Sequence, residues 1–505
     1  MAAGTSEEPS RARVAIIGSG ISGLTVAMAL AKAGIEDVVL LEKESAVGGT
    51  WRDNTYPGCA CDVPTQLYSF GFAPKSDWSR AYAGQEEIRA YIEETAERLG
   101  VSERVRTNTE VEKAQWDEEA QEWELLTSTG TLRAPILVSA TGPWNEPVIP
   151  ELPGMERFSG HMFHSARWDH DHNLEGRRVA VIGTGASAVQ FVPEIQPKVA
   201  HLHVFQRTAH WVLPKPDRAI TALEAGLLRR FPALRRALRA ALYYAFELVG
   251  AGTRHVGAMR QVERLGRRHL RRSVRDVQLR RALTPSYTLG CKRMLMSNEW
   301  YPALQAQNVE VLKSAVQEIR ERSVVAADGS EREVDTIIFG TGFRMTDLPI
   351  AQRTFDREGR SLAEVWSGSP RAYLGTTIAG FPNFFMMLGP NCGNGHGSAF
   401  TLVEAQARYV LEAVRAMDAR GLASVEVRAE VQERFNEQVQ QALQSTVWNA
   451  GGCSSYYMDK NGHNAAIFPW STIEYRRRTG RFEAGEYTVR ARQPSYSPDG
   501  GKIGI

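Results

Sequence analysis

What most constrains this chain is a unit that it carries twice: a short β-branched run, a glycine turn, a helix-forming stretch and a second apolar run. The first copy reads Val14 to Ile17, then Gly18-Ser-Gly20-Ile-Ser-Gly23, a helix from about Ser22 to Ala33 closed by Gly34, and Val38 to Leu41 ending at Glu42. The second reads Arg178 to Ile182, then Gly183-Thr184-Gly185-Ala186-Ser187-Ala188, a helix from about Ala186, and His201 to Phe205 ending at Arg207. Apolar runs this short, with no polar alternation, suit strands covered on both faces. Two βαβ units predict an α/β fold with two Rossmann-like dinucleotide-binding domains.

The glycine spacing carries chemistry. Gly18 permits the tight turn, Gly20 lets a pyrophosphate approach the backbone at a helix N-terminus, and Gly23 lets helix and strand pack closely. Glu42 stands nineteen residues after Gly23. A carboxylate there accepts bonds from ribose hydroxyls and repels a 2'-phosphate, so the first site suits FAD or NAD. The bland alternative is a glycine turn without a ligand. In the second unit Arg207 and Thr208 replace the acid. A guanidinium suits a ribose 2'-phosphate, which points to NADPH, against a plain solvated strand end. Together the sites imply electron flow from NADPH to FAD, which both reductases and oxygenases use.

Two further strands, Ile136 to Ala140 and Thr336 to Gly340, run into Thr141-Gly142 and Thr341-Gly342, and read as places where the chain crosses between domains. The expected division is an FAD domain over 1–145 and 338–505, the latter including the C-terminal region, and an NADP domain over 146–220 and 285–337. A helical insertion at 221–284 interrupts the second. There Leu227, Phe231, Leu234, Leu238, Leu242 and Ala245 recur at helical spacing, among fifteen arginines and four acids. That texture suits a solvated basic face; a membrane-surface role or the steering of a phosphorylated cofactor is the sharper alternative.

Over 505 residues the formal net charge is +2, so nothing global points to nucleic acid. No run is long and apolar enough to span a membrane. Met1 to Arg13 lacks the apolar core of a signal peptide, and five cysteines suggest reduced thiols, so a cytoplasmic location is expected. The tail after Gln493 reads as frayed. His161 and His164 are close in sequence but lack a third ligand at metal spacing, so no metal is expected.

Two longer motifs name a family. Phe158-Ser-Gly160-His161-Met-Phe-His164-Ser-Ala-Arg-Trp168-Asp169 resembles the fingerprint of Baeyer–Villiger monooxygenases, and Gly49-Thr50-Trp51 through Tyr56-Pro57-Gly58 to Asp62 resembles that family's second signature. The resemblance runs from Val14 to about Thr479 and includes Gly389-Pro-Asn391. It implies an FAD- and NADPH-dependent enzyme that forms a C4a-peroxyflavin from O2 and converts a ketone to an ester or lactone, or oxidises a sulfide. Arg293 matches the active-site arginine and Asp62 its partner; a structural ion pair between domains is the competing reading. Lys292, with Arg207 and Thr208, matches the grip on the 2'-phosphate. Thr50, Trp51, Tyr68, Thr141, Thr341, Thr184, Ser187, Gln190 and Asn391 are further expected cofactor contacts. The fingerprint histidine is implied to couple domain position to catalysis. Trp51 and Tyr56 either wall the flavin or pack the core.

Cys59-Ala-Cys61 raises a disulfide-reductase reading, but that class uses wider cysteine spacing, and Asp62 next door raises a thiol's pKa. The stretch from Trp448 to Tyr457, followed by Asn464 to Trp470, departs from the mobile loop of the cyclic-ketone enzymes, so the substrate stays open. Two other readings remain: an N- or S-hydroxylating flavin monooxygenase that makes no ester, and a non-catalytic NADPH-binding redox module. The oligomeric state is not legible.

Overall fold

The computed structural model describes residues 9–492. The expected frayed tail after Gln493 lies outside them. Two five-stranded parallel sheets form the frame. In the first, the strand order is Phe384–Met386, Ile136–Ser139, Val14–Ile17, Val38–Leu41 and Val105–Arg106. In the second it is Val309–Leu312, His201–Phe205, Arg178–Ile182, Thr336–Phe339 and His161–His164. Every residue of Val14–Ile17, Val38–Leu41, Ile136–Ser139 and Thr336–Phe339 is buried. That fits strands covered on both faces, by helices on one and by β-structure on the other.

Helix α1 (Ile21–Lys32) opens directly from the first glycine turn, and α2 (Ala186–Ile195) from the second. Both begin within a residue of the expected start. The insertion holds α3 (Ala222–Arg230), α4 (Pro232–Thr253), α5 (Val256–Ser273) and α6 (Val277–Ala282). Side chains cap two of these: Thr221 accepts from the Glu224 amide, and Asp276 from Gln278 and Leu279. Helix α7 (Ala399–Ala419) packs on α1, and α8 (Thr472–Arg478) packs on α7. A mixed sheet centred on Val111–Asp117, Glu122–Thr127 and Gly130–Ala134 shields the rear of the first parallel sheet, with Trp116 and Trp123 buried beneath it.

The two crossings bond to each other. The Val148 amide donates to the Gly342 carbonyl at 2.9 Å, Arg344 donates to Glu146 at 3.0 Å, and the Thr341 hydroxyl donates to the Val148 carbonyl. The fingerprint strand His161–His164 is the edge strand beside Thr336–Phe339, so it lies next to the second crossing.

One expectation is overturned. Cys291 and Cys453 form a disulfide, while Cys59, Cys61 and Cys392 are free. The pair is 162 residues apart, and a count of five cysteines carries no sign of it. Folding brings the glycines at 451–452 against Cys291: a Cβ on Gly451 would stand 2.7 Å from that of Cys291. The bridge ties the C-terminal loop to the residue preceding Lys292 and Arg293.

Candidate active site

Strand Val14–Ile17 aligns Ile17 with Leu41 on one side and Ser139 on the other, so three strand ends open together on one cleft. Gly18, Gly20, Glu42, Thr50, Trp51, Tyr68 and Thr141 all line it. Gly18 and Gly23 are sterically required; a Cβ on Gly18 would stand 2.8 Å from the Ala140 carbonyl oxygen. A Cβ on Gly23 would stand 2.0 Å from the Gly18 carbonyl oxygen, so Gly23 works by packing and does not face the cleft. Gly20 is the N-cap of α1 and no side chain caps the helix, which leaves its first amides free for a pyrophosphate. Buried Glu42 accepts from the Ser19 amide at 2.9 Å and hydroxyl at 2.7 Å, and pairs with Arg52 at 3.0 Å. Arg52, Lys43, Arg344 and Arg353 also line the cleft. Sequence reading missed these four because lone cations on loops carry no spacing signal.

The second glycine turn keeps the plan and changes the charge. Gly183 has φ of 105° and a Cβ there would meet the Gly340 carbonyl at 2.4 Å. Above Gly185, the N-cap of α2, a Cβ would find nothing within 4 Å. That open, uncapped helix start, with the Ala186 and Ser187 amides, fits a second pyrophosphate. Lys292 is brought near Arg207. Burial first and then that neighbouring cation hold Lys292 below its ordinary pKa. Neither cation has a carboxylate partner among the described residues. Two unpaired cations at one point are the complement of a phosphate. The Thr184 hydroxyl reaches the Thr208 carbonyl at 3.5 Å, tying the glycine turn to this corner.

Asp62 and Arg293 meet across 231 residues. The contact is bidentate: Nε to Oδ2 at 2.7 Å and Nη2 to Oδ1 at 2.6 Å. Asp62 keeps 26% and Arg293 34% of its side chain accessible, with protein packed closely around both. Burial opposes the Asp62 charge, yet adjacent Arg293 holds its pKa below the ordinary carboxylate value. Asp62 in turn raises Arg293 further. The pair is therefore ionised at any working pH. Tyr456 and Tyr457 act on Arg293 from the C-terminal loop, their hydroxyls 3.2 Å apart. Their aromatic side chains gave no sequence signal of this proximity.

Several expected residues take other partners. Gln190 clamps the loop that carries Asp62: its Oε1 accepts from the Tyr56 hydroxyl at 2.9 Å and its Nε2 donates to the Ala60 carbonyl at 2.9 Å. Gly58 is needed at that contact, with φ of 75° and the Gln190 carbonyl 2.8 Å from where a Cβ would be. Trp51 lines the cleft, whereas Tyr56 packs on Phe191 in the second core. Asn391 does not line the first cleft; its side-chain amide donates to the Asn464 and Ile467 carbonyls at 2.7 and 3.1 Å, holding the C-terminal segment. Thr341 is spent on the crossing.

The fingerprint makes a local cluster. His161 Nε2 lies 2.8 Å from Asp169, His161 stacks on His172, and Trp168 meets Phe163 and Phe191. Phe158 packs at the edge of another core, and a Cβ on Gly160 would collide with the Asp335 carbonyl at 2.4 Å. His164 accepts from the Ala166 amide at 3.0 Å and meets Phe343 edge-on. Burial lowers its pKa to about 4, so it is neutral at pH 7. Among the described residues no cluster of histidine, cysteine and carboxylates could hold a metal.

Two dinucleotide cradles and a cation-bearing cleft define a nucleotide-dependent flavoprotein oxidoreductase, and comparison with known proteins narrows the class. The pyridine nucleotide-disulphide oxidoreductase family model matches residues 15–245. A Baeyer–Villiger monooxygenase of Streptomyces coelicolor is 48% identical over 94% of this chain and 92% of its own length. One of Pseudomonas aeruginosa is 47% identical over 96% and 94%. Among solved structures, an oxidised steroid monooxygenase bound to NADP superposes with a TM-score of 0.85 at 29% identity, over 95% of this chain and all of that one. A closed cyclohexanone monooxygenase gives 0.86 at 25% identity, over 96% of this chain and all of that one. The chain belongs to the Baeyer–Villiger monooxygenase family and is a flavin monooxygenase of that type.

Proposed function

We propose that the protein oxidises ketones to esters or lactones, with sulfide oxidation as a second activity, using O2, FAD in the first cleft and NADPH at the second. The observation that carries this reading is the bidentate Asp62–Arg293 pair, which joins the loop carrying Asp62 to the residue following Lys292. Bound FAD supplies electron transfer from NADPH and the activation of O2. Arg293 supplies a permanent cation where negative charge develops on oxygen, and Asp62 fixes its direction. Glu42 receives the flavin-side ribose. Arg207, Thr208 and Lys292 grip the 2'-phosphate. Trp51 and Tyr68, joined by a 3.1 Å bond from indole to phenol, help keep water from the cleft. FAD regions at 1–145 and 338–505, NADP regions at 146–220 and 285–337 and an insertion at 221–284 are part of this reading; the two parallel sheets support it, except that strand Thr336–Phe339 of the second sheet straddles the 337/338 boundary.

The test is product analysis: purified enzyme with NADPH and a panel of cyclic, linear and aryl ketones plus thioethers, read by mass spectrometry. An ester or lactone is expected. Sulfoxide or N-oxide alone would establish the hydroxylating alternative. Arg293→Ala should retain FAD and its reduction by NADPH while losing at least about a hundredfold in oxygenated product, the scale of a removed oxyanion-stabilising group. Normal ester yield in that variant would refute the assignment.

A further inference from the structure

The insertion exposes apolar surface in an ordered pattern. Leu223, Leu227, Phe231, Leu234, Tyr244 and Leu248 are 42–76% exposed. Along α4, Leu234, Ala237, Ala241, Tyr244 and Leu248 are all exposed at alternating spacings of three and four, one continuous ridge. The opposite face is committed to the protein: Glu247, Gly250 and Thr253 are buried, and the Glu247 carboxylate accepts from the Thr472 amide.

Beside the ridge lies a cavity of about 370 Å³ between α4, α7 and α8, outside the dinucleotide clefts. Arg236, Arg239, Arg408 and Arg476 line it, and Tyr244 belongs to both ridge and cavity. Among the described residues none of these arginines has an ion-pair partner. Arg239 donates to the Gln66 and Ser69 carbonyls and the Ser69 hydroxyl. The one carboxylate lining the cavity among the described residues is Glu404, which burial raises above its ordinary pKa against the pull of Arg239 and Arg476 and which faces four guanidinium groups. An apolar ridge running beside guanidinium groups without ion pairs has the profile of an interfacial helix, and among the described residues no helix is long and apolar enough to cross a membrane. A second copy seated on this face would set like charges against each other. An anionic lipid leaflet satisfies both features.

We propose that this face of the insertion docks peripherally on anionic phospholipid membranes, the α4 ridge entering the headgroup region and the arginine cavity receiving a lipid phosphate. The test is flotation of the holoenzyme with phosphatidylcholine vesicles, alone or mixed equally with phosphatidylglycerol. Binding is expected to the mixed vesicles only, and to fall in about 0.5 M salt, where screening acts over a few ångströms. Arg236→Gln with Arg408→Gln should weaken it about thirtyfold. Leu234→Glu with Leu248→Glu should abolish it while ketone oxidation and melting temperature are unchanged. The proposal falls if the wild type stays soluble or binds neutral vesicles equally, or if the ridge variant still floats. It also falls if inorganic phosphate binds the cavity while vesicles do not, or if sedimentation velocity reveals a dimer that the ridge variant dissolves in place of lipid binding.

Discussion

The two nucleotide cradles share one topology and differ at one corner. Where the first ends in Glu42, that carboxylate is already held by Ser19 and Arg52; where the second ends in Arg207, the guanidinium and its neighbour Lys292 have no carboxylate partner among the described residues. The first corner already has protein partners for its charge, and the second leaves its two cations without a carboxylate among the described residues. The third motif position differs as well. Gly23 has no room for a methyl group, while Ala188 already carries one and is fully buried. The same fold therefore carries opposite charge at matching corners, and the side chain ending one strand decides which.

The contrast can be broken from its most rigid point outward. Gly23→Ala should cost about 3 kcal/mol or more and abolish flavin retention, since the methyl group meets backbone and cannot rotate away; a normally yellow protein with unchanged melting would contradict it. Arg207→Ala with Lys292→Ala should lower the NADPH-over-NADH ratio of kcat/KM about a hundredfold, roughly 2.7 kcal/mol, and leave NADH kinetics near wild type. The histidines sharpen the comparison through pH. His210 beside Lys292 and His164 beside the crossing are both held near pKa 4, each chiefly by burial. Their folded values lie below the unfolded one, so the unfolded chain takes up protons first as pH drops. Stability should fall from about pH 6.5 to about pH 4 and level off below, and His164→Gln should flatten part of that slope in thermal melts. Last, Ala188→Gly should cost only about 1 kcal/mol and leave NADPH preference intact.

The frame was legible because short apolar strands and glycine turns are local signals; Val14–Ile17 and Arg178–Ile182 fall where the residues alone put them. Asp62 and Arg293 were reachable only through the motifs' resemblance, since no spacing rule joins residues 231 apart. The Cys291–Cys453 bridge was missed for the same reason. Gln190 was expected at a cofactor and instead bonds the loop bearing Asp62, because helix position does not tell which way an amide turns. The basic, apolar texture of the insertion was visible, but which leucines face outward depends on packing against α7 and α8.

The paired crossings have a mechanical consequence. The two segments bonded at Val148 and Gly342 cannot slip past each other without losing those bonds, and His164 packs edge-on against Phe343 beside them. Rotation of one nucleotide-binding half against the other has to pass through this paired segment and would carry Lys292 and Arg293 with it, a displacement that spin-label distances with and without NADP+ would record.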